Sequence, residues 1–126
     1  MVDLTRFLEL TPDEARQQWR RIVQRDTRAR QEAFLPVEVL LTYTLFFVLD
    51  PHRYGGANIG KVPIEAKSLA ATLRRTPGSI TSKMLNLDGS RRNCARAEPE
   101  LFLRLSTEPD RAAALCWTAL QAAREV

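Results

Sequence analysis

The run PVEVLLTYTLFFVLD, from Pro36 to Asp50, is apolar on every side when wound as a helix, and after Glu38 it holds no charge until Asp50. A helix without a polar face must be covered all round by other elements. Val37 to Leu49 spans only about two thirds of the ~20 residues that a membrane helix needs. The run therefore predicts a buried central helix, opened by Pro36 and stopped by Asp50-Pro51. Thr42 and Tyr43 are expected to be core polar groups with hydrogen-bond partners.

The flanking sequence supplies the covering helices. Thr11-Pro12-Asp13-Glu14 is a capping box, and a helix should run from Pro12 to near Thr27. Its stripe is Ala15, Trp19, Ile22 and Val23, whereas Arg16, Arg20, Arg21, Arg25 and Arg28 fall largely outside it; solvation and pairing with Asp13, Asp26 and Glu32 is the favoured reading, and phosphate contact the alternative. Glu98-Pro99-Glu100 opens a short helix holding Leu101, Phe102, Leu103 and Leu105. Thr107-Glu108-Pro109-Asp110 caps the last one, whose Ala113, Cys116, Trp117, Leu120 and Ala123 are expected to close the core. The fold class is all-α, a compact bundle of about five to six helices forming a single domain over residues 1–126.

Between these helices lies IEAKSLAATLRRTPGSITSKMLNL, Ile64 to Leu87, with the pattern of a helix-turn-helix over about residues 63–88. Pro63 suits the start of the first helix, and Leu69, Ala70 and Leu73 form its apolar stripe. Thr76 is the expected N-cap of the second helix, with Pro77 in its first turn. Ile80, Met84 and Leu87 then face inward, and Ser79, Ser82, Lys83 and Asn86 form a separate polar stripe. Hydroxyls, an amide and an ammonium at that spacing suit base edges in the major groove of double-stranded DNA.

Charge is distributed to match. The chain carries a net +4, but Asp50 to Arg96 alone holds nine basic and three acidic residues, a local balance of +6. Phosphate binding requires such a concentration of cations. The segment His52 to Val62, HRYGGANIGKV, has three glycines and reads as a glycine-rich loop before the helix pair. Arg53 and Lys61 suit phosphate or a groove there, and His52 or Tyr54 suits a base; a flexible surface loop with Tyr54 tucked against the core fits the same residues equally. Arg91, Arg92 and Asn93 follow the second helix, where the arginines fit phosphate oxygens or, as the alternative, a guanine edge, and Arg75 and Thr76 stand at the turn.

The run SLAATLRRTPGSITSKMLNLDGSRRN, followed by a helix and a Trp-containing final helix, resembles the N-terminal DNA-recognition module of bacterial HNH endonucleases, including McrA-like modification-dependent restriction enzymes. The matching positions are Leu69, Ala70, Leu73, Arg75, Thr76, Ser79, Ile80, Lys83 and Asn86, within a resemblance spanning Val37 to Gln121. It implies a targeting module that binds duplex DNA by sequence or modification, methylated cytosine or phosphorothioate being the candidate marks. The chain departs from the pattern in its longer glycine-rich loop and in Asp88-Gly89-Ser90-Arg91-Arg92, both at places where DNA contacts would fall.

An HNH centre needs at least two histidines around a metal, and this chain has only His52. No catalytic residue, metal site or cofactor is expected; cleavage would belong to a fused nuclease domain, and the ending Arg124-Glu125-Val126 after a helix suits an excised N-terminal domain. Two cysteines, Cys94 and Cys116, outside any CxxC pair, and the lack of an N-terminal signal pattern fit a reduced cytoplasmic protein, the pairing of the two thiols being open. Membrane partners are not expected, and the oligomeric state stays open, a dimer of the full-length protein included. Two other functions fit the same residues: a helix-turn-helix transcriptional regulator, and a helical protein-interaction domain with a basic face.

Overall fold

The computed structural model describes residues 2–54, 61–91 and 97–126. Among them the order is α1 (Thr5–Leu8), α2 (Pro12–Val23), α3 (Pro36–Thr44), α4 (Ile64–Leu73), α5 (Pro77–Leu87), α6 (Ala97–Thr107) and α7 (Pro109–Arg124), with 3-10 turns at Leu45–Phe47 and Pro51–Arg53. The all-α class holds, and the one-turn helix α1 is an element the sequence pattern did not announce. Phe7 of α1, 1% exposed, plugs the core. No described helix is long and apolar enough to cross a membrane.

The apolar run forms the centre. Every residue from Pro36 to Tyr43 is buried, because α1, α2, α4, α5 and α7 all pack on α3. Past Thr44 the helix tightens into the 3-10 turn, and Phe47 and Val48 emerge into solvent, 76% and 57% exposed. The all-round burial inferred for the whole run thus applies to its first half. The Tyr43 hydroxyl lies 3.2 Å from Ser106 Oγ. Thr42 departs from expectation, since its buried hydroxyl has no partner among the described residues.

The capping box of α2 is present: Thr11 Oγ1 accepts from the Glu14 N–H at 3.2 Å, and the Glu14 carboxylate accepts from the Thr11 N–H at 2.9 Å. The helix ends at Val23, one turn earlier than its sequence pattern indicated. Trp19 is buried and its Nε1–H donates to the Ala119 carbonyl at 2.8 Å, joining α2 to α7. That contact sets the roll of α7. Ala112, Leu115, Cys116, Ala119 and Ala122 are the buried face, the alanines letting α2 approach closely. Trp117 and Leu120, expected in the core, are instead 58% and 47% exposed, because Trp19 already fills the space between the helices.

Among the arginines expected in solvent, Arg25 departs in the opposite sense. Arg16, Arg21 and Arg28 pair with Asp13, Glu32 and Asp26 as their spacing suggested. Arg25 does not stay in solvent. Its guanidinium is buried, bonding Glu38 at 2.9 and 3.0 Å, the Leu73 carbonyl at 2.7 Å and Glu32 at 2.8 Å. Glu38 is fully buried and takes a second guanidinium, that of Arg75, through both carboxylate oxygens. Burial alone would raise the Glu38 pKa. The hydrogen bonds from Arg75, Arg25 and the Leu35 N–H overcome it and hold the carboxyl below its ordinary value.

Candidate functional site

α4 stops at Leu73 because Arg74 takes the left-handed conformation, φ 57°. The Arg75 N–H then reaches the Ala70 carbonyl at 2.8 Å and the Arg74 N–H the Ala71 carbonyl at 3.2 Å, a Schellman closure. Thr76 follows as the N-cap of α5, its Oγ1 accepting from the Ser79 N–H at 3.2 Å and lying 2.8 Å from Ser79 Oγ. The three-residue turn is thereby fixed at both ends.

α5 has the two faces its sequence describes. Ile80, Met84 and Leu87 have no exposed surface, while Ser79, Ser82, Lys83 and Asn86 are half-buried. Past Leu87 the helix is closed by Gly89, φ 79°, where the Ser90 N–H bonds the Leu85 carbonyl at 3.1 Å. Asp88 and Ser90 both reach His52 Nε2, at 3.0 and 3.2 Å, so the Pro51–Arg53 turn is clipped to the C-terminal end of α5. Arg91 folds back along the helix, and its guanidinium donates to Ser82 Oγ at 3.2 Å. The turn, α5 and Arg91 thus form one continuous polar surface.

The remaining candidates divide by environment. Arg53, Lys61 and Arg91 are exposed and have no ion pair among the described residues, whereas Tyr54 is half-buried against the core. Lys83 is held: its Nζ lies 2.6 Å from Glu98 Oε1 and 4.9 Å from the Phe34 ring centre, leaving the side chain 15% exposed. Arg75 is removed from the surface altogether. Its side chain is 2% exposed, bound to Glu38 and the Glu32 and Ala33 carbonyls, and stacked 4.0 Å from the Phe34 ring centre. Arg75, expected among the DNA-contacting residues at the turn, instead lies inside the fold as a cation that the buried Glu38 requires. Arg92, Asn93 and the glycines of the loop lie outside the described residues.

Phe34 and Glu98 are residues whose part in the site the sequence did not mark. Phe34 lies under both Arg75 and Lys83, and Glu98, at the start of α6, holds the one cation of the α5 stripe. At the start of a helix Glu98 complements the dipole, and only the approach of α6 to α5 gives it a partner. No group of three or more His, Cys, Asp or Glu side chains among the described residues is arranged to hold a metal ion. Cys116 has no disulfide partner among the described residues, and burial pushes its thiol pKa up to about 11. In comparisons with known proteins, no family model, no curated protein and no solved structure matches the chain.

Proposed function

We propose that this chain is a double-stranded DNA-binding module in which α4 and α5 form a helix-turn-helix and α5 is the reading helix. The observation that carries the reading is the division of α5: one face fully buried, the other a stripe of Ser79, Ser82, Lys83 and Asn86, with the exposed Arg91 beside Ser82 and the exposed Arg53 on the turn clipped to the end of α5. Exposed guanidinium and ammonium groups supply phosphate affinity, and short polar side chains in the major groove supply selectivity. The resemblance to HNH-endonuclease modules supports a targeting role, with cleavage supplied by a fused nuclease domain. A cytosine 5-methyl lies in the groove that α5 would enter, whereas a phosphorothioate would be read at the backbone by the loop and Arg91.

Fluorescence anisotropy with unmodified, 5-methylcytosine and phosphorothioate duplexes at two salt concentrations tests this. Binding that weakens with salt and differs among the three duplexes is expected. No binding tighter than micromolar at low salt would sink the reading. Equal binding to all three would remove selection by modification.

A further inference from the structure

We infer that the chain self-associates through α7, two copies packing antiparallel about Trp117. Asp110, Ala113, Trp117, Leu120 and Arg124 recur at alternating spacings of three and four residues, and all five are exposed. That spacing is the seam of a helix pair, lying along the helix opposite the face that α2 and α3 cover. A tryptophan 58% in solvent beside an exposed leucine is an anchor without a pocket of its own. The groove next to it, lined by Phe47, Ala113 and Cys116, extends the apolar surface sideways.

Charge selects a second copy as the occupant and sets its direction. Asp110 and Arg124 each stand seven residues from Trp117, on opposite sides, and neither is in an ion pair among the described residues. With the two-fold axis at Trp117, Asp110 meets Arg124 of the second copy twice, and the small Ala113 meets the large Leu120. A parallel pair would oppose Asp110 to Asp110 and Arg124 to Arg124. Only the antiparallel arrangement makes this stripe complementary to itself in both charge and size. The inference does not rest on DNA binding.

Analytical ultracentrifugation of the full chain across a concentration series reaching roughly 300 µM is the test, a range in which weak self-association populates dimer. The expected result is a concentration-dependent dimer that Trp117→Glu and Leu120→Lys each reduce at least tenfold, with far-UV circular dichroism and thermal midpoint unchanged. Arg124→Gln weakens the dimer about two- to tenfold, since each dimer loses two exposed ion pairs. A wild-type chain that stays monomeric, or a dimer indifferent to Trp117→Glu and Leu120→Lys, overturns the inference. Tightening by Arg124→Gln also overturns it, because that outcome belongs to parallel pairing.

Discussion

Glu38 meets the low dielectric of the core only because two guanidiniums meet it there. Removing its charge by Glu38→Gln leaves Arg75 buried without a counterion and Arg25 with Glu32 alone, and should lower the unfolding free energy by about 3–5 kcal/mol in urea denaturation. Its pH signature has a definite sign. Glu38 and Glu32 are both held below the ordinary carboxylate value, so between the folded and unfolded values the folded state binds fewer protons. Their stabilisation is complete above about pH 4.5, the unfolded carboxylate range, and is lost as pH falls through the lower folded values. Glu38→Gln should flatten that part of the acid limb. On the polar face, Asn86→Ala should narrow discrimination between duplexes by about 1–3 kcal/mol, whereas Arg91→Ala should weaken all of them alike and reduce the salt slope by about one. Glu98→Gln should release Lys83, raising affinity for any duplex and steepening the salt dependence; unchanged anisotropy titrations would show that Lys83 stays clear of DNA.

α4 and α5 depend on backbone conformations that ordinary residues dislike, and glycine occupies only one of the two positions. Gly89→Ala forces a Cβ into φ 79° with Pro99 3.8 Å away, so strain and not space is the cost, about 1–2 kcal/mol in thermal unfolding. Arg74 already bears such strain, but its Nε–H donates to the Arg25 carbonyl at 2.8 Å. Arg74→Ala should therefore cost about 1 kcal/mol more than Arg74→Gly, losing the bond without gaining the permissive backbone. Elements fixed by near neighbours were legible in the sequence: the Thr11 box, the Thr76 cap, and the division of α5 into an apolar and a polar face. Features fixed by distant neighbours were not. The roll of α7 depends on Trp19, a hundred residues before Ala119, and the fates of Arg25 and Arg75 depend on Glu38, thirteen and thirty-seven residues away. One signal did exist in the sequence. A single carboxylate inside an otherwise apolar run needs a buried cation.

At the scale of the whole molecule, the basic segment presents less charge than its composition indicates. Arg75 is neutralised inside the fold and Lys83 at the joint with α6, while Arg53, Lys61, Lys67, Arg74 and Arg91 remain exposed. If three to five of these reach phosphates, log affinity should fall against log salt with a slope of about −3 to −4.5, measured by anisotropy across salt concentrations. A slope near zero would detach the basic surface from nucleic acid. The joint among Arg25, Glu38 and Arg75 carries a consequence of another kind, for inheritance. A carboxylate shared by two cations has no tolerable single replacement, so Arg25→Met, Glu38→Leu and Arg75→Met should each be costly alone and far less so in combination. Descendants of this sequence should exchange the three positions together or keep all three, while the polar stripe of α5, free of that coupling, diversifies one residue at a time.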